Sequence, residues 1–196
     1  MNKLISIFKN AGYVNNDNEK IVIYGLQKIK ALFEDIALAI IGGAILGDVI
    51  AAIIYECAYL SLRIYAGGYH AGTEKKCKCL SFGSLVVSLM LIFCDRISVT
   101  ILSGFMICAL LLIIRLAPVE SQNKKLFHKE KEIYRIRCLI VAITETCIYV
   151  LCICIHQNLY AKAIAIAVII VAIGLIPNML QNMHRGKKTI YSHNYE

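Results

Sequence analysis

Charge is what this chain has least of. Only 17% of its residues are Asp, Glu, Lys or Arg, against 59% hydrophobic residues, and the mean hydropathy is +0.67. Soluble domains carry about 25% charged residues, so a water-exposed globule is excluded. Acids are scarcer than bases, 13 against 21, which leaves a formal net charge of +8. Nucleic acid would suit that charge if the bases formed one patch. Instead they sit at the ends of apolar runs, where membrane topology and anionic lipid explain them better. A cleavable leader is missing from the first twenty residues. The apolar stretch Leu4, Ile5, Ile7, Phe8 is too short, and Asn10 to Lys20 is polar with no small-residue cleavage pattern. A short amphipathic helix on the membrane surface suits Leu4, Ile5 and Phe8. Neither an internal repeat nor a low-complexity stretch is present. Tryptophan is absent and proline occurs only twice, at Pro118 and Pro177, which excludes little.

Cysteine is not scarce. Nine of them would mean a disulfide framework in a small secreted protein. Here Cys94, Cys108, Cys147, Cys152 and Cys154 lie in or beside apolar runs, where a thiol behaves as a small hydrophobe, and all five read as packing residues. The pair Cys152-x-Cys154 resembles a metal motif, but residues two apart on a helix point in different directions.

The apolar runs predict an all-α polytopic membrane bundle of about six spans, a single domain over residues 1–196. A helical pattern from Ile21 to Phe33 leads into a first span near Asp35 to Leu46. Gly47-Asp48 forms an outer turn, and a second span runs from Val49 to Tyr65. Leu80 to Phe93 is a short third span rich in small residues, which allow close helix packing in lipid. After a turn at Asp95-Arg96 comes a fourth span, Ile97 to Ile114. A long basic loop, Arg115 to Arg137, precedes the fifth span, Cys138 to Ile155. His156 to Lys162 joins it to the sixth, Ala163 to Leu175 or beyond, which Pro177 bends or ends. With both termini cytoplasmic, the outer turns carry only Arg96 and Lys162 of the 21 basic residues. That is a strong positive-inside signature.

Between the second and third spans lies the stretch Arg63 to Cys79, RIYAGGYHAGTEKKCKC. A thiol becomes a strong nucleophile when a base takes its proton or nearby positive charge lowers its pKa. His70 can serve as the base for Cys77, and Lys75, Lys76 and Lys78 surround the thiol. On one continuous helix these two residues would stand roughly 10 Å apart along the axis, too far for proton transfer. The segment must therefore bend, and Gly67, Gly68 and Gly72 make that easy. Thr73 is placed to cap a short helix with Cys77 about one turn in. Two other readings stay open. His70, Cys77 and Cys79 supply three zinc ligands, although no second CxxC or HxxxH pair offers a fourth. Alternatively, intramembrane Glu56 and Glu145 mark the path of a small transporter or channel. That second reading leaves the glycine, histidine and cysteine loop unexplained. In the cysteine reading, either Glu56 or Glu145 orients His70 or pairs with Arg63; packing inside the bundle explains both acids equally well.

The run Arg63-x-x-x-Gly67-Gly68-Tyr69-His70-Ala71 followed by Cys77 resembles the signature of the accessory gene regulator B (AgrB) family. These are integral-membrane cysteine endopeptidases that process the precursor of a bacterial quorum-sensing peptide. A second patch, Ala117-Pro118-Val119 followed by Asn123-Lys124, is similar to the family's segment after its fourth span. Lys125 departs from it, standing where the family usually carries proline. The resemblance covers nearly the whole chain. It implies catalysis by His70 and Cys77, support of the active loop by Arg63, Gly67 and Gly68, and no cofactor or metal. It also implies a thioester on Cys77 that an internal cysteine of the precursor converts to a thiolactone, or a serine to a lactone. The expected partners are an AgrD-like precursor peptide and membrane lipid, with a homodimer compatible and no nucleic acid. Lys124, Lys125, Lys129 and Lys131 are the residues to hold an acidic precursor tail. The expected location is the bacterial cell membrane, with both termini and the active loop cytoplasmic.

Overall fold

The computed structural model describes residues 19–67, 74–119 and 128–193, without the side chains of residues 20, 28, 74–77, 128 and 178–193. The expected N-terminal surface helix lies outside the described residues. Among those described, the regular structure is helical throughout: α1 (Glu19–Leu46), α2 (Val49–Ala66), α3 (Glu74–Ile92), α4 (Val99–Leu116), α5 (His128–Cys154) and α6 (Asn158–His193). The six helices match the six expected passes in order. Four meet the length and apolarity needed to cross a bilayer: Val49–Ala66, Val99–Leu116, Lys129–Cys154 and Asn158–Pro177. Lys78–Ile92 of α3 is apolar but shorter. In α1 the apolar part follows Glu34 and Asp35, so the helical pattern from Ile21 and the first span are one continuous helix.

The turns follow local chemistry. Gly47 takes a φ of 100° and turns the chain between α1 and α2. Asp48 then caps α2, its Oδ1 accepting from the Ala51 amide at 2.9 Å. Ser98 caps α4 in the same way through the Thr100 amide at 3.1 Å.

Three boundaries differ from the sequence reading. The fifth helix begins at His128, not Cys138, so the last part of the basic loop is helix. Its Lys, Arg and Glu residues are good helix formers and need no apolar face once the helix leaves the bilayer. Of the two expectations for Pro177, a bend or an end, the end is overturned: the last helix continues to His193. A proline inside a membrane helix removes one amide donor, which neighbouring helices and local adjustment tolerate. Lys162 is not part of the last turn: α6 already starts at Asn158.

α6 is the helix the others pack around. It touches α2, α3, α4 and α5, and every residue from 161 to 168 is buried. The sequence there, AKAIAIAV, is apolar nearly all round, as a central helix must be. Its alanines let neighbouring backbones approach. Side chains on the outer faces are large and apolar, among them Ile101, Phe105, Leu111, Ile140 and Ile143. A continuous apolar exterior of this kind belongs against lipid.

Lys162 explains how the central helix meets its neighbours at one end. The residue is only 9% exposed, and its Nζ donates to the Cys94 carbonyl at 3.0 Å, just past the end of α3. A cation at a helix C-terminus satisfies an orphan carbonyl and opposes the helix dipole. This contact also puts the α3–α4 turn and the α5–α6 turn at the same end of the bundle.

Candidate active site

The opposite end carries the residues singled out in the sequence. α2 delivers Arg63, Tyr65, Ala66 and Gly67 there. The Arg63 guanidinium lies over the Tyr59 ring at 5.2 Å, one turn back on the same helix, and Tyr59 stacks on Tyr55 at 5.8 Å. Helix α2 stops at Gly67, whose φ of 82° and ψ of −168° suit only glycine. A Cβ built there would meet the Val119 carbonyl oxygen at 2.6 Å. Glycine is thus required twice, once for its backbone and once for space.

Val119 belongs to the second sequence patch. Its amide donates to the Ala66 carbonyl at 3.1 Å, and the segment enters through a cis Ala117-Pro118 peptide. The two stretches picked out separately in the sequence are therefore in backbone contact. Gly68 and His70 lie outside the described residues. So do Lys124 and Lys125.

Cys77 stands in the first turn of α3, which starts at Glu74; its side chain is outside the described part. One residue on, Lys78 Nζ reaches Glu34 of α1 at 2.9 Å, and Lys30 approaches the same carboxylate at 3.6 Å. The Lys78 hydrogen bond holds the Glu34 carboxyl below its usual range, against a smaller opposing effect of desolvation. Cys79 is exposed.

A fifth helix closes the same end. The ring of Tyr134 meets Tyr65 edge-on at 6.1 Å, and the Arg137 guanidinium lies over the Tyr65 ring at 5.9 Å. Both come from the charged first part of α5, which the sequence reading took as loop. Lys129 and Lys131 are exposed on that same part.

Glu56 and Glu145, the two acids considered as partners of His70, are 4% and 6% exposed. Glu145 accepts a hydrogen bond from Ser61 Oγ at 2.9 Å, joining α5 to α2, while its other oxygen is buried without a partner among the described residues. Glu56 faces a small recess with Asp35, Tyr55, Tyr59, Ser81, Ser84 and Leu85. Among the described residues no group of three His, Cys, Asp or Glu side chains is arranged for a metal; the zinc alternative turns on His70 and the Cys77 side chain, which are not among them. All described cysteines are free thiols. Cys152 is buried and Cys154 exposed, so that pair does not converge. Cys108, Cys147 and Cys154 face outward rather than into the core, which corrects their reading as packing residues. On a lipid-facing surface a thiol is as acceptable as in a core.

Sequence reasoning missed Val119 on Ala66, Glu34 on Lys78, and Tyr134 with Arg137 on Tyr65. Only Val119 had left a signal, through the second patch.

A family model described as Accessory gene regulator B matches residues 1–175. The chain belongs to the AgrB family. No curated protein and no solved structure matches it. As an AgrB member it is a membrane protein of the accessory gene regulator system, protease-like and involved in processing a quorum-sensing peptide precursor. The family match and the apolar helices agree on a membrane location.

Proposed function

We propose that this AgrB protein is a cysteine endopeptidase acting through His70 and Cys77. The observation that carries the reading is the position of Cys77 in the first turn of α3, ten residues beyond Gly67, which is braced by Val119. The positive end of a helix dipole favours a thiolate at such a position. Gly67 ends α2 and lets the chain change direction before His70.

The reaction is acyl transfer. His70 takes the Cys77 proton, and the thiolate attacks a carbonyl carbon of the precursor to give a tetrahedral oxyanion. Collapse breaks the C–N bond, and His70 returns its proton to the departing amine. The C-terminal part leaves, and the N-terminal part remains as a thioester on Cys77. An internal precursor thiol then attacks that thioester, closes a thiolactone and restores the Cys77 thiol. One thioester replaces another, so the step needs no external energy source. Exposed Lys129 and Lys131, with Lys124 and Lys125, hold an acidic precursor tail by charge. Both termini and the active loop face the cytoplasm, whose reducing conditions keep Cys77 a free thiol.

The test is cleavage of co-expressed precursor, with mass spectrometry for an adduct on Cys77. Cys77→Ala and His70→Ala should abolish or nearly abolish cleavage, and Cys79→Ala should leave most of it. Full activity in Cys77→Ala would end this reading. Equal loss in Cys77→Ala and Cys79→Ala, with inhibition by chelators, would turn it to a metal site.

A further inference from the structure

The stretch between Gly67 and Lys78 is anchored on both sides by other parts of the chain. Before it, Tyr65 is gripped by Tyr134 and Arg137 of α5, and Ala66 by Val119. After it, Lys78 is tied to Glu34 of α1. The α5 contacts stand out because the apolar span does not need them. From His128 to Arg137 the helix is largely charged, and Arg137 is exposed. An exposed guanidinium over a ring and one edge-on aromatic pair add little to the stability of a six-helix bundle. They do fix the direction of the Tyr65 side chain, two residues before the glycine at which the backbone turns.

We propose that Tyr134 and Arg137 are positioning residues that hold the start of the active loop through Tyr65. The inference rests on the cysteine peptidase reading above. It adds that the charged extension of α5 sets the geometry between His70 and Cys77, beyond offering lysines to the substrate. Misplacement of a reacting group by about 1 Å can cost roughly 100-fold in rate, so loosening this grip acts on turnover more than on substrate binding.

The experiment uses the full chain in lipid nanodiscs with purified precursor, measuring kcat and KM, the melting temperature, and the pH profile of Cys77 alkylation followed by mass spectrometry. Tyr134→Ala should lower kcat by roughly 10- to 100-fold, leave KM within about twofold, and shift the Cys77 alkylation profile toward an ordinary thiol. Tyr134→Phe, which keeps the edge-on ring, should restore most of the rate. Arg137→Gln should lose several-fold and Arg137→Lys should recover part, since an ammonium also binds a ring face. Lys129→Gln should raise KM instead. The proposal is overturned if Tyr134→Ala keeps wild-type kcat and alkylation profile, if Tyr134→Phe is as impaired as Tyr134→Ala, or if the rate loss merely follows a fall in melting temperature. Cys77→Ala run alongside separates the two levels. If it still cleaves, the peptidase reading itself has failed; if it is inactive while Tyr134→Ala is unaffected, only the positioning role has.

Discussion

Gly67→Ala is the sharpest perturbation the structure offers. Gly67 has φ 82° and ψ −168°, a region that residues with a Cβ enter only at a cost of about 1–3 kcal/mol. The new methyl would also stand 2.6 Å from the Val119 carbonyl oxygen. That is backbone, with no flexible side-chain tip to swing aside, so Val119 must move and its amide bond to Ala66 weakens. Losing that hydrogen bond adds about 0.5–1.5 kcal/mol. Together the native arrangement is penalised by about 1.5–4.5 kcal/mol, or roughly 10- to 2,000-fold in population. The cost falls on one loop and not on the core around α6. The protein should therefore still reach the membrane folded while precursor processing drops at least about 10-fold. Gly25→Ala is the control, because among the described residues nothing lies within 4 Å of a Cβ placed there and alanine is the better helix former. Processing is read from co-expressed precursor, and folding from the melting temperature of the purified protein. Wild-type processing in Gly67→Ala, or an equal loss in Gly25→Ala, would refute the account.

Single cysteines at Asn123 and Asn158, in a background without other reactive thiols, should label from opposite sides of the membrane; labelling of both by an impermeant reagent from outside would undo the proposed topology. Replacing Lys124, Lys125, Lys129 and Lys131 with Gln should slow processing most at low salt, with the gap to wild type closing as salt screens the remaining attraction. A gap that does not change with salt would leave those lysines to topology alone. Glu34 has a lowered pKa in the folded chain, so its bridge to Lys78 contributes fully above the ordinary carboxylate range and fades as pH falls through the lowered value. Melting curves of wild type and Lys78→Gln should differ slightly near neutral pH and converge in acid; a gap that widens in acid would contradict the sign. Lys162→Met should cost about 1.5–3 kcal/mol by removing a charged hydrogen bond and so lower the melting temperature, whereas an unchanged value would mean the Cys94 carbonyl finds another donor.

The helices were legible because their cause is local. Apolar runs, broken by Gly47-Asp48 and Asp95-Arg96, mark the helices without any knowledge of packing. Where the reading failed, the cause was tertiary or ambiguous. Residues 128–137 are polar, and a polar helix and a polar loop share one composition. Pro177 reads as a bend or a terminator, and termination fails because a proline in a packed membrane helix can be accommodated. Lys162 reads as a surface charge at a turn, and only the position of Cys94 makes it a cap. The hub role of α6 was visible in principle: AKAIAIAV has almost no polar face, and a helix without one belongs inside.

The candidate site divides along the same line. Arg63, Gly67, His70 and Cys77 announce themselves because they crowd into fifteen residues and because glycines beside a histidine and a thiol are unusual at the end of an apolar run. The residues that brace them come from elsewhere: Glu34, Val119, Tyr134 and Arg137. No periodicity links Gly67 to a carbonyl fifty residues later, and no local charge pattern pairs Lys78 with an acid on the first helix. A nucleophile needs a particular residue type, so it leaves a mark in the sequence. A brace needs only something of suitable shape at one point in space, so its identity follows from the fold. Val119 is the informative exception: its role is carried by backbone atoms, and what the sequence had to preserve was the absence of a side chain at Gly67.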